Sequence, residues 1–221
     1  MNCVFNLARP LLLGFFTPQG LLVGATIHAA DSPALSIKVS RVVGSARYYT
    51  DDKNHPGWSV LRAGDELGGN PVLQTSSRDS IVDFELTGPD ALRRVAVRMF
   101  SNTVLRQIRL SSRTSGSVKT SDILLDVAAG QIRISLDGES EQSFTLAMGD
   151  TQTRVTVLHS SGDAKDTMFV FNGTLTVLNG EVKASVGTGQ EKAIHAGEQL
   201  RRGANEVTKT SPEAPELKLG Q

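Results

Sequence analysis

Residues 80–86, Ser-Ile-Val-Asp-Phe-Glu-Leu, carry the pattern that decides the fold, because apolar and polar side chains alternate along them. The same alternation recurs at 37–42 and 94–99. A period of two is typical of a β-strand with one face in a core, whereas a helical stripe repeats about every 3.6 residues. Gly, Asp, Asn and Ser lie between the runs, as expected of turns between strands.

Further strands are predicted along most of the chain, and no window shows a helical stripe. They are predicted at 104–110, 123–127, 131–136, 143–146, 154–158, 168–171, 174–178 and 181–186. The sequence therefore predicts an all-β domain over 31–202, built of stacked short strands and hairpins as a two-sheet sandwich or a short β-solenoid. Pro212, Pro215 and mixed charge predict a flexible tail over 203–221.

Two segments repeat each other at an offset of fifty residues. Residues 125–136 match 175–186, with Gly130 aligned to Gly180. Each segment is predicted to form a hairpin that turns at its glycine, since a tight reversal needs a positive φ that glycine adopts at little cost.

A second pair of matching segments lies at 61–67 and 194–200. Each contains Ala-Gly followed by an acidic residue, around Gly64 and Asp65 in the first and around Gly197 in the second. Repeated turn chemistry explains both echoes better than a duplicated ligand site does, because turn residues recur for backbone reasons.

The first thirty residues differ from the rest in composition. Arg9 is their only formal charge, an apolar stretch follows it, and Ala29 and Ala30 precede the first acidic residue. This arrangement predicts a secretory signal peptide at 1–30, with a membrane anchor or a buried first element as alternatives. The protein is therefore expected to be exported, periplasmic or extracellular. Removal of the peptide would also remove Cys3, the only cysteine, and no later segment is apolar enough to cross a bilayer.

The whole-chain composition is that of an ordinary globular protein. The chain has 23 Lys and Arg against 23 Asp and Glu, 39% hydrophobic residues and 5% aromatic residues. Balanced charge and few aromatic rings argue against nucleic-acid binding. One domain with a single core is expected.

The order of several short motifs resembles the extracytoplasmic FecR domain across about residues 37–202. The motifs that carry the resemblance lie at 43–48, 57–61, 63–67 and 73–86, followed by the segments around Gly130, 143–146, Gly180 and 195–200. The resemblance implies a β-rich domain outside the cytoplasm, of the kind that in iron-uptake regulators senses the loading state of an outer-membrane receptor. About thirty residues before the first strand leave no room for the cytoplasmic segment and helix of those regulators. The resemblance therefore implies a fold and a compartment more than a pathway.

Catalytic and metal-binding motifs are sparse in the sequence. His55, His159 and His195 lack metal-ligand spacing, and neither a metal nor a cofactor is expected. Paired carboxylates at Asp65-Glu66 and at 139 and 141 allow a weaker hydrolase hypothesis, which requires two carboxyl groups in one pocket. We therefore expect a protein that is not an enzyme.

The strongest charge asymmetry lies at 91–120, where seven basic residues occur with no acidic one. Arg94, Arg98, Arg106 and Arg109 are the candidate binding residues for an anionic polymer or an acidic protein surface. Strand alternation predicts that Arg94 and Arg98 share a face and that Arg106 and Arg109 point opposite ways. The alternative is a solvated face with no partner.

A second candidate surface is aromatic. Tyr48, Tyr49 and Trp58 are the only Tyr and Trp residues of the chain and lie close together in sequence. Their rings could stack on sugars, although Trp58 is expected to lie in the core.

These patterns together predict an exported, non-catalytic FecR-like domain that senses or scaffolds in the cell envelope through an envelope protein partner. The alternative is a carbohydrate-binding or cell-wall-binding module. Nothing in the sequence predicts the oligomeric state.

Overall fold

The fold is given by a computed structural model that describes residues 35–51, 56–76, 78–88, 95–115, 118–137, 142–157, 166–202 and 206–211, and only the backbone within 111–121. These residues form eighteen strands and no helix. The predicted all-β class is therefore confirmed. The predicted signal peptide lies outside the described residues.

Nine strands form the first sheet, called sheet A, and nine form the second, sheet B. In pairing order, sheet A contains β18 (Val207–Lys209), β17 (Glu198–Leu200), β14 (Leu175–Asn179), β13 (Asp166–Phe171), β10 (Ile132–Asp137), β7 (Val95–Met99), β6 (Ile81–Thr87), β1 (Ser36–Val43) and β4 (Glu66–Gly68). In pairing order, sheet B contains β16 (Lys192–His195), β15 (Glu181–Val186), β12 (Thr151–Val157), β11 (Gln142–Met148), β9 (Val118–Ala129), β8 (Val104–Ser115), β5 (Val72–Thr75), β2 (Ala46–Thr50) and β3 (Gly57–Val60).

The core lies between the inner faces of the two sheets. Alternate residues of the strands are buried there, as β6 shows with Val82, Phe84 and Leu86. Phe144 of sheet B meets Phe169 of sheet A edge to face, with ring centroids 5.7 Å apart. Each buried Phe or Leu side chain stabilises such a core by roughly 1.5–3 kcal/mol. The arrangement fits a two-sheet sandwich, one of the two architectures that the sequence predicted.

The chain repeatedly crosses from one sheet to the other between consecutive strands. β9 lies in sheet B and β10 in sheet A, while β14 lies in sheet A and β15 in sheet B. The predicted hairpins at Gly130 and Gly180 are therefore wrong, because both glycines join strands of different sheets. A glycine with positive φ serves either kind of reversal, so the sequence pattern does not distinguish a hairpin from an arch between sheets. We call such a crossing an arch.

Each arch glycine packs directly on a hydroxyl-bearing residue. A Cβ at Gly130 would lie 2.4 Å from Thr103 Oγ1, and one at Gly180 would lie 2.8 Å from Thr167 Oγ1. Thr103 is fully buried and its hydroxyl bonds the backbone of Gln131, accepting from the N–H at 3.0 Å. These contacts leave no room for a side chain at the glycine.

The second sequence echo also forms two crossings between sheets. The turn at Gly64 leads from β3 to β4, and the turn at Gly197 leads from β16 to β17. In the first turn the Asp65 carboxylate accepts the Arg62 backbone N–H at 2.8 Å. In the second, Glu198 accepts the His195 backbone N–H at 2.9 Å. The same local chemistry therefore makes a corner near each end of the sandwich.

Several strands were missing from the sequence prediction because they are short or alternate poorly. They are β2, β3, β4, β5, β16 and β17. Residues 207–209 also form a strand, β18, which pairs with β17 where the sequence predicted a flexible tail. Residues 212–221 of that predicted tail lie outside the described part of the chain.

Candidate binding surface

An exposed apolar surface lies on the outer face of sheet B at its β3 edge. Trp58 is 47% exposed and Val60 is 66% exposed, and they are the exposed large hydrophobic residues of the described chain. Tyr49 lies directly opposite Trp58, and Arg47 directly opposite Val60, so all four side chains share one face. We call Arg47, Tyr49, Trp58 and Val60 the edge patch. The expectation that Trp58 lies in the core is wrong.

The edge patch has a defined internal geometry. The rings of Tyr49 and Trp58 are 5.7 Å apart at a tilt of 58°. Arg47 Cζ lies 4.3 Å from the centroid of the Trp58 ring, which is cation–π distance. Arg47 Nε also donates to Gln74 Oε1 at 3.0 Å, which holds the guanidinium over the indole. One face of Trp58 is therefore covered by a cation.

Tyr49 is linked to the adjacent loop through Asp51. A hydrogen bond from the Tyr49 hydroxyl to the Asp51 carboxylate raises the pKa of Tyr49, and the negative charge of the carboxylate raises it further. The neutral, donating phenol is the form that this contact stabilises.

Tyr48 does not join the edge patch, because neighbouring residues of a strand face opposite sides. It pairs with the fully buried Leu73 and packs against the core. Tyr48 also lines a cleft of about 610 Å³ beside β4. The three aromatic residues that the sequence grouped are thus divided between two faces.

That cleft contains two carboxylates, Asp51 and Glu66, which bear on the hydrolase hypothesis. Asp51 accepts the hydrogen bond from Tyr49. Glu66 Oε1 lies 3.9 Å from Lys38 Nζ, with both side chains well exposed. Each of the two carboxylates in the cleft therefore contacts a neighbouring side chain. Asp65 does not line the cleft with Glu66, because its carboxylate accepts a hydrogen bond within its own turn.

The candidate arginines are spread over opposite outer faces of the sandwich. Arg98 lies on sheet A, and Arg106 and Arg109 lie on sheet B. A bulge in β8 around Arg106 shifts the register, so Arg106 and Arg109 are both exposed and the predicted opposite orientation is wrong. Arg94 lies outside the described residues. The described arginines therefore do not form a single basic face.

Two of these arginines have carboxylate partners. Arg98 binds Asp83 through two hydrogen bonds, Nε to Oδ1 at 2.5 Å and a terminal nitrogen to Oδ2 at 2.9 Å. That hydrogen bonding raises the pKa of Arg98, whereas burial and the charge of Arg98 lower the pKa of Arg133 on the next strand. Arg106 Nε lies 3.1 Å from Asp126 Oδ2.

Histidines and acidic residues form no group of three or more that could hold a metal ion within the described ranges. His195 Nδ1 lies 3.5 Å from Glu181 Oε2 across β15 and β16. His55, His159 and the acidic residues at 139 and 141 lie outside the part that the structure describes.

Comparisons with known proteins identify no relative. No protein-family model matches the chain, and neither curated proteins nor solved structures include a significant match. In the part of the chain that the structure describes, no helix is long and apolar enough to span a membrane. Function is therefore inferred from the residues of this chain.

The sequence predicted the aromatic half of the edge patch, Tyr49 and Trp58, but not Arg47 and Val60. The signal was available in the alternation, since Arg47 and Tyr49 are two residues apart, as are Trp58 and Val60. The alternation does not predict the register in which β2 pairs with β3.

Proposed function

We propose that this protein is an exported, non-catalytic FecR-like domain that senses or scaffolds in the cell envelope by binding another protein. The edge patch is the proposed contact surface. The observation that carries the proposal is the exposure of Trp58 and Val60 beside Arg47 on one sheet face. Large apolar side chains that cluster on an exposed surface often mark an interaction site.

The residue types of the edge patch favour a protein as the partner. Trp, Tyr and Arg dominate the energetics of protein interfaces. The Arg47 guanidinium covers one face of the Trp58 indole, and Tyr49 is tilted against it by 58°. Sugar stacking needs an open, flat ring face. A tilted ring pair with one indole face covered offers less open ring surface than a coplanar pair would.

The proposed compartment rests on the sequence. Arg9, the apolar stretch after it and the small residues at Ala29 and Ala30 support export. The motif order that resembles the FecR domain supports the same compartment and a sensing or scaffolding role.

Carbohydrate binding is the second candidate, and the exposure of Trp58 favours it. A half-exposed indole next to a tyrosine is a usual component of sugar sites. In this alternative a ring of glycan or cell-wall polymer would contact the uncovered part of Trp58.

A capture experiment with matched variants tests the proposal. The wild-type chain, Trp58→Ala and the control Thr188→Ala, an exposed turn residue beyond β15, are immobilised and exposed to a native envelope extract. We expect one defined envelope protein to be retained by wild type and by Thr188→Ala, and to be reduced at least tenfold by Trp58→Ala.

Fluorescence separates the two candidates, because Trp58 is the only tryptophan. Titration with envelope oligosaccharides should leave its emission unchanged if the partner is a protein. A saturable shift with oligosaccharide, together with equal protein capture by wild type and Trp58→Ala, would replace the proposal by the carbohydrate-binding function.

A further inference from the structure

The four edge strands of the sandwich differ in how well they are protected against pairing with another chain. β4 contains Glu66, β16 contains Lys192, and β18 contains Lys209, whereas β3 contains no charged residue. Charged side chains on an edge strand normally discourage pairing with another chain. Within the described residues, β3 is therefore the one unguarded edge.

The free edge of β3 presents the backbone of Trp58 and Val60. The Leu61 N–H donates to the Ala46 carbonyl at 3.0 Å, which fixes the phase of the antiparallel ladder. Because hydrogen-bonded and non-hydrogen-bonded pairs alternate, Ser59 bonds toward β2, and the N–H and C=O groups of Trp58 and Val60 point away from it. Among the described residues, the outward-pointing backbone groups of the β3 edge and the exposed large apolar side chains thus belong to the same two residues.

We propose that a second copy of this chain pairs with β3, antiparallel and about a two-fold axis at Ser59. In this register the backbone of Trp58 exchanges two hydrogen bonds with the partner's Val60, and Val60 does the same with the partner's Trp58. The two copies of sheet B then form one continuous sheet. Ser59 lies opposite Ser59 of the partner subunit as a non-hydrogen-bonded pair.

The sequence of β3 is complementary to itself in this register, which is why the occupant is a second copy. Reversal about Ser59 sets indole beside the partner's Val60, and an aromatic side chain next to a β-branched one is a favourable cross-strand pair. The two Arg47 residues are separated by three strand spacings, about 14 Å, and are also displaced along the strands, so their repulsion is largely screened. No two residues of like charge lie opposite each other where the two β3 strands pair.

This assembly goes beyond the proposed function and is compatible with it. Strand pairing uses the backbone of β3 and leaves its side chains on the sheet faces. The two edge patches would then lie side by side on the outer face, and an envelope partner would meet a surface twice as wide.

A cysteine placed on the two-fold axis tests the register. In the full chain carrying Cys3→Ser, Ser59→Cys should form a disulfide-linked dimer on mild oxidation, since non-hydrogen-bonded pairs bring Cβ atoms to disulfide distance. The control Thr188→Cys, exposed near the opposite edge of sheet B, should form no disulfide-linked dimer under the same conditions.

Light scattering after size exclusion tests the pairing without a covalent bond. Wild type should elute at twice the chain mass, and Val60→Pro should raise the dimer dissociation constant at least tenfold. Proline at 60 removes an N–H that points to the free edge and spares the bonds to β2. Val60→Lys provides a second variant that keeps the backbone donor, and circular dichroism verifies that each variant is folded.

A monomeric wild type, an unlinked Ser59→Cys chain, or a dimer that survives both Val60 variants would overturn the proposed pairing. Strand addition at β3 by a different protein to a monomeric chain would also overturn it. Those outcomes leave the proposed function to its own test, because Trp58-dependent capture of an envelope protein does not require a dimer.

Discussion

Gly130 and Gly64 both have positive φ, +85° and +92°, but their surroundings differ. A Cβ at Gly130 would lie 2.5 Å from the Thr103 backbone, whereas one at Gly64 would meet nothing within 4 Å. Gly64→Ala should therefore cost only the left-handed backbone strain, about 1–2 kcal/mol. Gly130→Ala should cost a further 1–3 kcal/mol, roughly, from overpacking.

Denaturant titration of the two alanine variants measures this difference directly. Wild type and Gly64→Ala serve as the matched references, because both variants add one methyl group at a positive φ. Equal losses of unfolding free energy at the two positions would contradict the close packing of Gly130 on Thr103.

The contact between Tyr49 and Asp51 predicts a measurable titration. Because Asp51 raises the pKa of Tyr49 above its ordinary 10.0, ultraviolet titration of a Tyr48→Phe chain should show a phenol that ionises late. Asp51→Asn should bring that pKa back toward 10. The contribution of this contact to stability is present below pH 10 and is lost as the pH rises through the folded-state pKa. An unchanged titration in Asp51→Asn would show that the carboxylate does not hold the phenol.

At this scale the sequence predicted a positive φ at Gly130 and Gly180, and the structure has them at 85° and 78°. The predicted turn glycines Gly64 and Gly197 also have positive φ, at 92° and 82°. It did not indicate the environment of Trp58. A single large ring in a protein with few aromatic residues is usually needed for packing, but here the ring lies on the outer face of the edge strand β3, where its neighbours Arg47 and Tyr49 leave it 47% exposed. Residue type therefore predicted the backbone conformation of the glycines more accurately than it predicted the exposure of Trp58.

Strand pairs differ in how strongly their cross-strand ions are coupled. Asp83 and Arg98 lie directly opposite on β6 and β7, with side chains only 20% and 27% exposed and two hydrogen bonds between them. Arg106 and Asp126 are also close, but the Arg106 side chain is 53% exposed. A double-mutant cycle to alanine should give a coupling of about 1–2 kcal/mol for the first pair.

The pair of Arg106 with Asp126 is the internal comparison and should couple by less than about 1 kcal/mol, since exposed pairs gain little in water. Chemical denaturation of the four variants of each cycle gives both values. A larger coupling for the exposed pair would show that burial and bidentate geometry do not set the strength of these contacts.

At the element scale, alternation identified most of the long strands and their buried faces. It placed Arg106 and Arg109 on opposite faces because it could not foresee the bulge in β8. It also read the reversals at Gly130 and Gly180 as hairpins. For β8 the missing information was the register with β9, and for the two glycines it was the sheet that the next strand joins. Backbone hydrogen bonds decide both, and the side-chain pattern does not.

The whole sandwich is predicted to have a gradient of stability from its middle to its edges. β9 and β10 are the central strands of sheets B and A, and the Gly130 arch joins them. Strands β16 and β18 are edges with neighbours on one side only. Hydrogen exchange followed by mass spectrometry should therefore be slowest in peptides from β9 and β10 and fastest in those from β16 and β18. Uniform protection would mean that the domain opens only as one unit.

The order of strands has a consequence for how such a domain can change in length. Strands that are close in sequence are mostly neighbours in a sheet, and from β5 onward the chain passes back and forth between the two sheets toward their β16 and β18 ends. Inserting or deleting one pair of crossing strands would lengthen or shorten the sandwich while its width and its two end corners stayed the same. The segments that match at an offset of fifty residues cross in opposite directions, from sheet B to sheet A at Gly130 and from sheet A to sheet B at Gly180, so the arch is a unit that such a change can reuse in either sense.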